Sequence, residues 1–193
     1  MESDDFTQRG EHMTLHPEEA KNFFKNWLGL MAFINDKYHI VKDFGQPKKP
    51  VKVSPEKVIR IKTKLWENTA IIDEYIDSEK KLPEEDAEIL RGWKNNISGP
   101  FIVINHLKKH SILMNEKEDT LYGVIGISGP ISEMIPGDML PMMIKTTLIP
   151  FKDRIIYDSV FSVNNVQIGP NMRRSLKESY SEIKEKKGII CSF

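Results

Sequence analysis

Apolar residues recur at three- and four-residue spacing through the first half of the chain, then alternate or run together in the second. Ala20, Phe23, Phe24, Trp27, Leu28, Met31 and Ile34 make a wide stripe, the pattern of an amphipathic helix laid on a core. His16-Pro17-Glu18-Glu19 marks its start: proline suits a first turn, where an N–H is spare, and acids suit the positive helix end. Ser54-Pro55-Glu56 starts a second helix, with Val58, Ile61, Leu65, Ile72 and Ile76 facing inward. Leu82-Pro83-Glu84-Glu85-Asp86 starts a third, with Ala87, Leu90, Trp93 and Ile97 inward, and Ser98-Gly99-Pro100 ends it. Aromatic residues at helical spacing mark a core far more often than a ligand box, so the first stripe is read as core.

From Phe101 the period changes. Phe101–Leu107 and Ser111–Asn115 flank Lys108-Lys109-His110 as a hairpin, and Thr120–Ser128 reads as a third strand. Leu140–Pro150 and Arg154–Val163 follow, joined by Lys152-Asp153. Gly123 and Gly126 within a strand pattern predict a bulge or sharp bend. A last helix spans Pro170 to Lys187, with Met172, Leu176, Tyr180 and Ile183 on one face and Gly188 as its stop. The expected fold is α+β: N-terminal helices, an antiparallel five-stranded sheet or partly closed barrel, then a C-terminal helix. The divisions are a disordered tail over 1–13, a helical region over 14–99 and a β region with closing helix over 100–193, forming one compact unit. The helices are expected to cover one sheet face, because Phe101–Ile104 is apolar on both sides.

Composition adds little. Of 193 residues, 39% are hydrophobic and 29% charged, ordinary for a globular chain that needs no covalent staple. Cys191 is the one cysteine, so neither an internal disulfide nor a cysteine-based zinc set is expected. No apolar run suits a bilayer, and the polar, acidic N-terminus is unlike a secretory signal. Cys191 is third from the end, which does not fit a prenylation box. The expected location is cytoplasmic, without membrane or cofactor.

Charge is more informative in its distribution than in its zero total. Lys42 to Lys64 holds eight bases against Asp43 and Glu56, and Glu67 to Glu88 holds nine acids against Lys80 and Lys81. The second helix carries Lys57, Arg60, Lys62 and Lys64 in its first half, the reverse of what a helix dipole favours. The last helix likewise opens with Arg173 and Arg174, which beside free backbone N–H groups is one way to build an anion site. Lys48, Lys49 and Lys52 lie in the Asp43–Val53 linker and, with Arg60, Lys62 and Lys64, make a candidate phosphate patch. The bland alternative is that the acidic stretch, or that of a second copy, neutralises it; zero net charge disfavours nucleic acid.

Catalytic signatures are absent: there is no phosphate-cradling GxxxxGK[ST] and no HExxH, and Gly126-Ile127-Ser128-Gly129-Pro130 has proline where a nucleophile elbow needs glycine. His106 and His110 straddle a turn and are not expected to converge on a metal. If Lys152-Asp153 is a two-residue turn, Phe151 pairs with Arg154 and Thr147 with Asp158, leaving Lys145 diagonal to Asp158 on one face. Lys145 and Asp158, with His106, are therefore the candidate catalytic residues; a solvated ion pair is the plainer reading of them.

Leu121-Tyr122-Gly123-Val124-Ile125-Gly126-Ile127 and Leu148-Ile149-Pro150-Phe151-Lys152-Asp153-Arg154-Ile155-Ile156-Tyr157-Asp158 resemble segments of an uncharacterised bacterial protein family. The resemblance extends over Phe24 to Gly188 and implies a helical front half, a strand-rich back half with this hairpin, and a closing helix. Some similar chains continue into a short cysteine-rich zinc motif like that of protein-export ATPases; with Cys191 alone, that site is not carried over. The resemblance implies no activity, substrate or catalytic residue. The functional expectation is a non-catalytic binding or accessory module, with a protein partner or second copy. A small enzyme around Lys145 and Asp158, or a phosphate binder through 42–64, are the alternatives.

Overall fold

The computed structural model describes residues 13–42, 44, 54–115, 117–163 and 168–193. The expected N-terminal tail, apart from Met13, lies outside the described residues. The chain falls in two compact units, Glu18–Asn95 and Asn96–Phe193, the latter including the segment before Glu18.

The helical unit contains α1 (Pro17–Tyr38), α2 (Pro55–Glu67), α3 (Ile71–Ser78) and α4 (Glu84–Gly92). The aromatic stripe of α1 is core: Phe23, Trp27 and Trp93 are buried, Phe23 stacks on Trp27 at 5.9 Å, and Trp93 meets Trp27 edge-on at 5.7 Å. The expected second helix is two helices. The chain is extended at Asn68, whose carboxamide accepts the Ala70 N–H at 3.1 Å and thereby competes with the helical ladder. Asp86 of α4 is buried and accepts from Asn22 at 2.6 Å and Lys25 at 2.9 Å, tying α4 to α1. Burial alone would raise its carboxyl; hydrogen bonds from Asn22, Lys25 and Asn26 outweigh this and hold it below its usual range.

The second unit is built on β1 (Ile97–His106), β2 (Ser111–Asn115), β3 (Thr120–Ile125), β4 (Met142–Phe151), β5 (Arg154–Tyr157) and β6 (Ser162–Val163). Between β3 and β4 lies α5 (Ile131–Met134), and α6 (Pro170–Lys187) closes the chain, ended by Gly188 at φ 76°. The strand order is β1-β2-β3-β5-β4-β6, and β1 also pairs with β4, so five strands form a closed ring with β6 as an appended edge. This corrects the expectation of a purely antiparallel sheet, because β3 and β5 run parallel, Val124 against Ile155 and Ile125 against Ile156. The reason is arithmetic: a ring with an odd number of strands cannot alternate direction throughout, so one neighbouring pair must be parallel.

The register shifts within β1, between Val103 and Asn105, rather than in β3. There β1 changes partner: Ile97–Val103 faces β4, and the residues from Ile102 onward face β2. Gly126 lies just past β3 in a turn so tight that a Cβ would stand 1.9 Å from the Gly129 carbonyl oxygen. Gly123 allows close approach of the C-terminal segment, where Ile190 exchanges backbone hydrogen bonds with Leu121 and Gly123 at 2.9 and 2.8 Å. On the outer face of β1–β3, Ile102, Ile112, Met114 and Leu121 form a buried cluster with Leu176 and Ile183 of α6. Residues of opposite parity, Phe101, Val103, Leu113 and Val124, fill the barrel.

Candidate ligand cleft beside the closing helix

The β4–β5 hairpin has the expected register: Phe151 pairs with Arg154 across a two-residue turn with Lys152 at φ 56°, and the Asp158 N–H reaches the Thr147 carbonyl at 3.0 Å. It nevertheless does not join Lys145 to Asp158. Strand β5 ends at Tyr157, Ser159 takes φ 69°, and beyond the strand end the pleat no longer fixes the side chain's face. The buried Asp158 carboxylate accepts from the Thr146 hydroxyl at 3.1 Å, whereas Lys145 is exposed and forms no ion pair with the described residues. Burial and the Asp158 charge push the neighbouring Tyr157 phenol up to about 12, so it stays protonated at neutral pH.

His106 stands apart from both. Lys145 pairs with Pro100, six residues up β1, a separation of up to roughly 20 Å along the strand. The His106 ring is bonded at both nitrogens: Nε2 lies 2.8 Å from the Ile135 carbonyl oxygen and Nδ1 2.7 Å from the Ser111 hydroxyl. A carbonyl only accepts, so Nε2 carries the hydrogen; burial pushes the imidazole below its ordinary value, and in the neutral ring Nδ1 accepts from Ser111. A serine hydroxyl bonded to an imidazole is also how a nucleophile is activated, but Ser111 is 1% exposed and the ring is oriented by a carbonyl rather than a carboxylate. The pair ties the β1–β2 hairpin to the segment after α5. Cys191 and His110 both crowd Gly123, at 2.8 and 2.9 Å from where its Cβ would lie, and burial raises the thiol above its ordinary value. Among the described residues, no three His, Cys, Asp or Glu side chains gather as a metal set.

The basic segments are dispersed. Lys48, Lys49 and Lys52 lie outside the described residues. On α2, Lys62 is buried and Lys64 pairs with Glu67 at 2.5 Å, while Lys57 and Arg60 are exposed. Acids of the 67–88 stretch draw on other bases of the same unit: Asp73 on Lys94, Glu74 on Lys37, Glu84 on Arg91 and Asp86 on Lys25. Arg173 and Arg174 meet different surroundings. Arg173 donates Nε–H to the Ile168 carbonyl at 3.1 Å and Nη1–H to the Leu140 carbonyl at 2.6 Å, clamping the start of α6 to the strand-entry loop. Arg174 lies on the outer helix face among Lys177, Glu178 and Glu182.

That clamp borders a cleft of about 340 Å³ lined by Ile104, Asn105, Leu140, Pro141, Arg173, Lys177 and Tyr180. Arg173, Lys177 and Tyr180 share one face of α6 at four- and three-residue spacing. Ile104 and Asn105 come from the irregular end of β1, and the cis-linked Leu140-Pro141 pair supplies the far wall. The volume is at the small end of the range for small-molecule sites. Of these lining residues, the sequence pattern singles out Arg173 alone as a candidate. The helical spacing of Lys177 and Tyr180 is a readable signal, but their meeting with Leu140 and Pro141 depends on ring closure.

No family model, curated protein or solved structure matches this chain, which accords with its resemblance to an uncharacterised family.

Proposed function

We propose that this chain is a non-catalytic binding module whose ligand occupies the cleft between α6, the end of β1 and the Leu140-Pro141 loop. The observation that carries this is the cleft's lining, an apolar wall of Ile104, Leu140 and Pro141 facing polar side chains on one helix face. The groups best suited to chemistry are placed differently: Asp158 and Ser111 are buried and bonded to Thr146 and His106. A five-stranded ring of this connectivity is a Greek-key barrel, and barrels of the oligonucleotide- and oligosaccharide-binding type use the outer face of strands 2 and 3. Here that face is packed under Leu176 and Ile183, which leaves no stacking platform on it. Architecture alone implies no activity; the cleft at the margin of the covered face is a concave surface that this packing leaves open.

The test is a small-molecule mixture screened by ligand-observed NMR against the native protein and against Leu140→Trp, whose indole fills the cleft. Hits that bind the native chain and are lost with Leu140→Trp support the assignment. Hits retained by a folded Leu140→Trp protein place the ligand elsewhere and remove it.

A further inference from the structure

The polar wall of the cleft is one-sided in hydrogen-bonding character. Asn105 Oδ1 already accepts its neighbour's main-chain N–H, from His106 at 2.9 Å, so the carboxamide turns its NH₂ donors to the remaining directions. Arg173 uses Nε–H and one Nη1 hydrogen on two carbonyl oxygens, which are neutral partners, and keeps the Nη2 pair. Lys177 has three ammonium hydrogens, and the Tyr180 hydroxyl is a further donor; neither group bonds a described residue through these atoms. Aspartate and glutamate are absent from the described lining. Two positive charges therefore line a half-apolar hollow whose own described lining holds no carboxylate; the acids nearest Lys177, Glu178 and Glu182, lie on the outer helix face.

From this arrangement we infer that the ligand is an amphiphilic oxyanion, one carboxylate or phosphate group on a small apolar body. The inference rests on the cleft being the ligand site, as proposed above. The charged head accepts from Lys177, Arg173 and Tyr180, where charge-assisted bonds are the strong ones. The apolar body lies against Ile104, Leu140 and Pro141 and gains from leaving water. A neutral ligand would accept hydrogen bonds from these donors but leave the Arg173 and Lys177 charges without a counter-charge, and a cation would meet like charge. The free N–H groups of the helix end play no part in this; the charges come from its side chains. Because Arg173 also holds α6 to the loop, Lys177, exposed and without an ion pair, is the residue to change.

Isothermal titration with hexanoate, hexyl phosphate and 1-hexanol as probes separates the possibilities, with methyl NMR reporting on Ile104 and Leu140. At least one oxyanion is expected to bind tenfold or more tightly than hexanol, and their ratio names the head group. Lys177→Gln is expected to weaken the oxyanion roughly tenfold, to leave hexanol unchanged, and to be rescued by Lys177→Arg. Hexanol binding in the cleft as tightly as both oxyanions, or oxyanion binding indifferent to Lys177→Gln, overturns the anionic assignment while leaving the cleft as a ligand site. If none of the three probes shifts the Ile104 and Leu140 methyls, both the assignment and the reading beneath it fall.

Discussion

Gly126 shows how much one missing methyl group decides. A side chain there would collide with the Gly129 main-chain oxygen, which has no flexible end to swing away. Gly126→Ala is therefore expected to destabilise the barrel unit by about 3 kcal/mol, read as a shift in the urea midpoint. At Gly123 the atoms met are the ends of Cys191 and His110, which have some freedom, so alanine there should cost less. His106 makes a pH prediction. Its pKa is lower in the folded chain than the ordinary 6.5, so the unfolded chain binds the proton more readily. The stability this group contributes is complete above pH 6.5 and is lost as pH falls through the folded value. His110 shifts the same way, through burial and then Lys109. Unfolding midpoints followed from about pH 8 to about pH 5 should fall less steeply in His106→Gln than in the native chain; equal slopes would show that the ring is not held neutral.

Among the elements, the two-residue Lys152-Asp153 turn was legible because such a turn fixes the register of the strands it joins. The side on which Asp158 lands was not, since it depends on where β5 stops. The break at Asn68 had a local signal, a side chain that competes for backbone hydrogen bonds, but Ile72 and Ile76 continue the stripe of Ile61 and Leu65 and mask it. The parallel β3–β5 contact is a property of closure between strands distant in sequence, which no local pattern carries. α6 illustrates what packing adds to periodicity. Of its 18 residues only Leu176 and Ile183 are buried, so each carries much of its attachment. Leu176→Ala is expected to cost about 2–4 kcal/mol and to speed hydrogen exchange across α6 more than across β2 and β3. In the helical unit, Asp86→Ala removes the acceptor shared by Asn22 and Lys25. Lys25 is largely exposed, which limits what the ion pair contributes, so the expected loss is about 2 kcal/mol. The Asp86 pKa is depressed, so its contribution is complete above the ordinary 3.8 and is lost as pH falls below it.

Over the whole chain, zero net charge conceals local balance rather than uniform neutrality. The acidic run is matched largely by bases of its own unit, whereas Arg173 and Lys177 at the cleft form no ion pair with the described residues. Composition could not show this, because it depends on which charges fold together. No helix among the described residues is long and apolar enough to cross a membrane. Whether the cleft beside α6 holds the ligand is decided by titrating methyl-labelled protein with hexyl phosphate, hexanoate and 1-hexanol. Saturable shifts are expected at Ile104 and Leu140, with methyls of the helical unit such as Ile61 and Leu65 unmoved. Shifts confined to the helical unit, or none at Ile104 and Leu140 at saturating probe, would rule the cleft out.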